Sequence, residues 1–186
     1  MSEKAVFEGR RVAAAVRTEE DFTEALKSKV KVIFMQYSSI LTVEDLIRRC
    51  HEAGKTIFIH MDFTDGIGKD RAGLEFLKKL GADGILTTKT SIIRLARQLG
   101  LATVQRFFIV DSHSVDTAVE SIRIAKPEMV EIMPGVVVKK IREFAERVNT
   151  PILAGGLLEY REEVDDALDS GATAVSTACR DLWNYK

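Results

Sequence analysis

Four glycines, at positions 54, 81, 100 and 171, each close a helical run and are each followed within about three residues by a short apolar run. One structural unit is therefore being reused along the chain, although the copies are not close repeats in sequence. The apolar runs are Val12 to Val16, Val32 to Met35, Thr56 to Met61, Gly84 to Thr87, one opening at Ala102, Met129 to Ile132, one opening at Pro151 and one at Thr173. They have the length and composition of strands buried on both faces, and the stretches between them carry helical phasing, with Leu74, Leu77 and Leu80 on one side before Gly81. Thr18 is placed to cap a helix from Glu19, and further helices are expected from Val43 to Gly54, up to Leu80, over Ser91 to Leu99, from Ser114, and over Val138 to Val148.

Eight strand-then-helix units of roughly 20–25 residues predict an α/β chain folded as a compact (β/α)8 barrel, one domain over residues 1–186. Such barrels usually need about 200 residues or more, so the loops must be short. The rival fold, a doubly wound open sheet, finds no dinucleotide fingerprint here, because Gly66, Gly68 and Gly73 have the wrong spacing for GxGxxG. The fifth strand has two registers. Its end falls near Arg106 if it has ordinary length, and at Asp111 if the apolar run Phe107 to Val110 continues it.

Composition excludes several classes of function. With 46% apolar and 30% charged residues the chain is ordinary for a soluble globular protein, and the early apolar run Val12 to Val16 is too short for a membrane span or a signal core. A cytoplasmic location is expected. Cys50 and Cys179 lack paired spacing, which argues against disulfides and zinc; Cys179 reads as a small packing residue. A net charge of −1 leaves no general polyanion-binding character, and Arg48-Arg49, Lys78-Lys79 and Lys139-Lys140 read as solvated helix faces.

The last quarter, PILAGGLLEYREEVDDALDSGATAVSTACRDLW, carries the strongest chemical signal. Two parallel strands there end in the turns Ala154-Gly155-Gly156 and Ser176-Thr177-Ala178, which must emerge on the same edge of the sheet. Unpaired amides at such turns converge on one point, as a phosphate requires, and Gly155 and Gly156 have no Cβ to hold an anion away. Ser176 and Thr177 add hydroxyl donors, and a short helix from about Ala178 to Trp183 would point its positive end at the same place. Barrels of this class commonly bind phosphate after strands seven and eight.

Position at the carboxyl ends of strands nominates Asp62, Lys89, Arg106, Asp111 and Glu131 as polar ligand contacts. Glu131 interrupts an apolar run, where an unpaired carboxylate is costly, so it either meets a ligand or pairs with Arg106 or Lys89. Asp111 also suits a helix cap, and His60 and His113 read as packing or capping residues. No nucleophile-and-base signature and no metal-ligand spacing is visible.

Six segments, HMDFTDGIGKD, DGILTTK, TVQRFFIVDS, EIMPGV, PILAGGL and AVSTACRDLW, occur in that order between about Val12 and Trp183. Together they resemble the glycerol uptake operon antiterminator family of bacterial regulators. The resemblance implies a (β/α)8 fold, a response to glycerol 3-phosphate, and regulation through leader mRNA of glycerol genes so that transcription passes a terminator. It implies mouth positions at Asp62, Lys89, Gln105, Arg106, Asp111, Glu131, Gly155, Gly156, Ser176 and Thr177. The chain departs from the family at His113, where an aliphatic residue is expected, and at Ala178-Cys179, where a further serine is usual, which removes one phosphate hydroxyl.

The expected protein is thus a non-enzymatic sensor without cofactor or metal, with glycerol 3-phosphate and leader RNA as partners, no membrane, and a homo-oligomer left open. Loops around residues 64 to 69 and 107 to 113 would order on binding. The alternatives are a phosphosugar isomerase or aldolase, with Glu131 or Asp62 as base and Lys89 as Schiff-base former, and a barrel serving only as a scaffold for partners.

Overall fold

The computed structural model describes residues 9–185, and each apolar run supplies a strand. The barrel strands are β1 (Val12–Val16), β2 (Val32–Met35), β3 (Thr56–His60), β4 (Gly84–Thr87), β5 (Ala102–Phe108), β6 (Met129–Met133), β7 (Ile152–Gly155) and β8 (Ala174–Thr177), and Ser38–Ser39 and Thr64–Asp65 form a separate two-stranded parallel pair. All barrel strands pair in parallel with their sequence neighbours, and β1 pairs with β8, closing an eight-strand barrel. Seven helices follow the first seven strands: α1 (Glu19–Lys27), α2 (Val43–Glu52), α3 (Arg71–Lys79), α4 (Thr90–Gln98), α5 (Ser112–Ala125), α6 (Val138–Arg147) and α7 (Arg161–Asp169). Residues 1–8 and 186 of the expected domain lie outside the described residues.

Local chemistry sets the helix starts. Thr18 accepts from the Asp21 N–H at 3.1 Å, Asp70 from that of Gly73 at 2.9 Å and Asp111 from that of Ser114 at 2.7 Å. Each cap satisfies a donor the helix cannot, a contribution of about 1 kcal/mol.

Successive residues of a strand point to opposite faces, and this pleat sorts the sequence into two cores. One face of each strand, including Val12, Ala14, Ile33, Met35, Ile57, Ile59, Val130, Ile132, Ile152 and Val175, packs against the helices. The other face fills the barrel with Ala13, Val32, Phe34, Phe58, Leu86, Val104, Met129, Leu153 and Ala174, and Phe34 meets Phe58 edge to face at 5.5 Å. Two positions further along these inward rows, at the carboxyl ends, the filling changes from apolar to polar.

Two differences from the sequence reading have clear causes. Strand β5 runs to Phe108, past Arg106 and short of Asp111, because β6 supplies partners as far as the pair Phe108 and Met133. The expected final helix is a 3-10 turn, Arg180–Asn184. It is held by Trp183, which is 2% exposed and donates from Nε1 to the Thr177 carbonyl at 2.9 Å, and by Arg180, which donates to Asp21 and Glu20 of α1.

Candidate functional site

The polar inward layer is a chain of four side chains from four strands. His60 follows Phe58 by two on β3, Arg106 follows Val104 on β5, Glu131 follows Met129 on β6 and Ser176 follows Ala174 on β8. Arg106 Nε donates to Glu131 Oε2 at 2.5 Å, Arg106 Nη1 lies 3.0 Å from His60 Nε2, and Ser176 Oγ donates to Glu131 Oε1. Arg106 is 4% exposed and Glu131 0%. The sequence left a choice between a ligand contact and an ion pair for Glu131; the structure pairs it with Arg106. A guanidinium can only donate, so His60 Nε2 accepts and the ring is neutral. Burial, and then the nearby Arg106 charge, push the His60 pKa down to about 4. Arg106 Nη2 is buried and has no partner among the described residues.

Gly155 completes this layer by having no side chain. A Cβ there would sit 2.5 Å from Glu131 Oε1 and 2.7 Å from Ser176 Oγ, so the space is already taken by the contact it permits.

Above this floor lies a cavity of about 550 Å³, lined by Ala15, Arg17, Gln36, Glu131, Met133, the stretch from Gly156 to Tyr160, and the stretch from Ser176 to Cys179. It occupies the carboxyl ends of β7, β8, β1 and β2, and Ser176 is in register with Gly155, so the two glycine and serine turns are neighbours. Gly156 and Leu157 both have positive φ, +79° and +61°, and an ordinary side chain reaches that region only with strain. Among the described residues the backbone N–H groups of Leu157 and Ala178 meet no acceptor, whereas that of Gly156 continues the β7–β8 ladder toward the Ser176 carbonyl.

The nominated residues separate according to the pleat. Glu131 touches the cavity but exposes no surface, so it forms a floor beneath the cavity. The Ser176 hydroxyl is committed to Glu131 as a donor, leaving lone pairs to accept with. Thr177 lies on the helix-facing side of β8, and its hydroxyl donates to the Leu158 carbonyl at 2.6 Å while accepting from the Cys179 N–H at 3.0 Å. Neither hydroxyl is a free donor, and the five-residue 3-10 turn beginning at Arg180 carries too few aligned peptides to act as the expected helix dipole. Gln105, a mouth position by resemblance, also faces outward, donating to Thr90 Oγ1 at 3.1 Å and Ser121 Oγ at 2.9 Å.

The other nominees lie outside the cavity lining. Asp62 accepts at Oδ1 from Thr87 Oγ1 at 2.8 Å, and at Oδ2 from the Thr88 N–H at 2.8 Å and Thr88 Oγ1 at 3.0 Å, tying the turn after β3 to the end of β4. Burial alone would raise its pKa, but these hydrogen bonds outweigh that and hold it below the ordinary carboxylate range. Lys89 is exposed at the start of α4, and Asp111 is an exposed cap that forms a capping box with Ser114. Cys179 is half-buried in the cavity wall.

Sequence reasoning missed Arg17 and Gln36, which line the cavity just past the ends of β1 and β2. The rule that nominated the other strand-end residues applies equally to them: each is the first polar residue after a buried run. It also undervalued His60, whose place on the inward row followed from Phe58 two residues before it. Among the described residues no group of three or more His, Cys, Asp or Glu could hold a metal ion, and no helix is long and apolar enough to cross a membrane.

Comparison with known proteins finds the same fold. A glycerol uptake operon antiterminator regulatory protein from Listeria monocytogenes is 26% identical, with a TM-score of 0.91 over 96% of this chain and 97% of the other. A glycerol uptake operon antiterminator-related protein from Thermotoga maritima is 33% identical, with a TM-score of 0.84 over 92% of this chain and 96% of the other. An Escherichia coli K12 protein named Uncharacterized protein YgcP is 33% identical over 173 residues, covering 92% of this chain and 91% of its own. The family model described as glycerol-3-phosphate responsive antiterminator matches residues 12–183, and the chain belongs to that family.

Proposed function

We propose that the chain is a non-enzymatic sensor that binds glycerol 3-phosphate in the barrel mouth and, in that state, acts on the leader RNA of glycerol genes. The observation that carries the ligand reading is the pairing, in one cavity, of two N–H groups without acceptors, those of Leu157 and Ala178, with the Arg17 side chain. A phosphate dianion takes such donors through charge-assisted hydrogen bonds, each contributing about 1.5–3 kcal/mol. Gly155 keeps the floor open for the Glu131 and Ser176 contact, and the glycerol hydroxyls would lie over that pair, donating to the Ser176 oxygen. Arg17 offsets Glu159, the like charge at the rim. Glycerol lacks the phosphate and should bind far more weakly.

The enzymatic alternative finds less support. It needs Lys89 beside a free carboxylate, whereas Lys89 is outside the cavity lining, Asp62 is held by Thr87 and Thr88, and Glu131 is paired with Arg106.

Calorimetric titration tests the ligand reading. Glycerol 3-phosphate should bind at about micromolar strength and glycerol should not; equal heats from both would remove the phosphate premise. Filter binding to a leader transcript with and without glycerol 3-phosphate tests the RNA reading, which requires higher affinity in the presence of the ligand.

A further inference from the structure

Charge is distributed unevenly along the chain. Residues 76–110 contain six basic residues and one acidic residue, in a chain whose net charge is −1. Arg106 is spent inside the barrel, and the acid, Asp83, is bound to His51 and to the Ile57 N–H. The remaining cations are exposed on neighbouring elements: Lys78 and Lys79 end α3, and Lys89, Arg94 and Arg97 run along α4. Helix α4, TSIIRLARQ, has no acidic residue. Its buried face is Ile92, Ile93 and Ala96, which turns Arg94 and Arg97 outward.

On α1 and α2, and at several positions elsewhere, exposed cations have carboxylate partners. Arg48 and Arg49 pair with Asp45, Glu52 and Glu19, Arg147 with Asp116 and Glu143, and Arg180 with Glu20 and Asp21. None of the five cations of α3 and α4 named above makes an ion pair among the described residues. Lys78 and Arg97 instead donate to the carbonyls of Leu99 and Ala125, which draws the carboxyl ends of α3, α4 and α5 together and brings in Lys126, the exposed cap residue of α5. The result is a stripe about 13 Å long on α4 that broadens into a basic patch at its foot.

We propose that this face of α3 and α4 is the surface that receives the phosphate backbone of RNA. The inference rests on the RNA reading above and adds to it the place of contact. Charge complementarity selects a polyanion. The large apolar side chains that protrude from the protein include none on α3 or α4, so the face lacks the insertion residues an anionic membrane would engage. With few cations and no exposed aromatic ring on these two helices, the contact is with backbone, so it sets affinity and orientation and reads little sequence. The face is firmly mounted: Gln105 bonds Thr90 at the start of α4 and Ser121 on α5, and its neighbour on β5 is Arg106 of the mouth.

The test uses the full chain, a fluorescently labelled leader stem-loop RNA, and anisotropy at two salt concentrations with and without glycerol 3-phosphate. Lys79→Glu/Arg94→Glu reverses two cations that have no internal partner, so the fold and ligand binding should persist, as melting and calorimetry would confirm. Lys27→Glu/Arg48→Glu changes the net charge equally on paired cations of α1 and α2 and serves as control. The proposal expects the first variant to lose RNA affinity by about tenfold or more, with a salt dependence shallower by about one to two logarithmic units per decade, and the control to change by less than about threefold. RNA binding by the wild type that survives in the α3 and α4 variant overturns this surface and leaves the RNA reading standing. Absence of RNA binding by the wild type in both ligand states overturns the RNA reading itself, and with it this surface, as would binding to phosphatidylglycerol vesicles in its place.

Discussion

His60 and Glu131 show how much depends on single positions in the inward row. With its folded pKa near 4 and an ordinary value near 6.5 when unfolded, His60 binds more protons in the unfolded chain throughout that interval. Stability therefore rises with pH across the window, and up to about 3 kcal/mol is lost as pH falls from about 6.5 to 4. Denaturant midpoints over that range should show the loss in the wild type and a flatter profile in His60→Asn. Asp62 acts lower still. Its depressed pKa gives stability that is present above about 3.9 and fades as pH falls through the folded value, so the two residues separate on the pH axis. Glu131→Gln leaves the Arg106 charge buried without its partner and should cost about 3–5 kcal/mol, whereas Arg106→Leu/Glu131→Leu should recover most of it. A double variant no more stable than the single one would contradict this account. The sequence nominated Glu131 because a carboxylate among apolar neighbours must be satisfied. It could not name the partner, because pairing across a barrel depends on which face of each strand turns inward.

Among the elements, the turns after β7 and β8 carry the ligand reading, and Gly156 is the position to probe. A Cβ there would approach Met133 Cε to 2.6 Å, and the φ of +79° adds strain of about 1–2 kcal/mol for any other residue. Gly156→Val should lower the melting temperature modestly and remove glycerol 3-phosphate binding in calorimetry; retained binding would separate the turn from the ligand. The strand cores of β1, β2, β4 and β6 were legible because buried parallel strands are continuous apolar runs. The end of β5 was not, since β6 decides where pairing stops. Ser176 and Thr177 show the same limit. They look equivalent as neighbours in the sequence, yet the pleat sends the first into the barrel and the second to the helices, where it holds the Leu158 carbonyl.

For the whole molecule, the barrel topology was readable from the recurrence of one unit, and the family from six ordered segments. The uneven spread of charge was equally present in the sequence. It gained meaning only when the fold showed which cations have carboxylate partners and which do not. A sensor that binds its ligand in the native state alone must be stabilised by it. At a ligand concentration about a hundred times the dissociation constant the gain is about 2.7 kcal/mol, which for a chain of this size raises the melting temperature by roughly 5–11 °C. A scaffold without a ligand site would show no such shift with glycerol 3-phosphate. The most direct test of the central claim is the amide spectrum of isotope-labelled protein titrated with glycerol 3-phosphate, inorganic phosphate and glycerol. The account predicts that the Leu157 and Ala178 resonances move with both phosphates and stay in place with glycerol. Unmoved resonances at these two residues while others shift, or equal movement with glycerol, would contradict it.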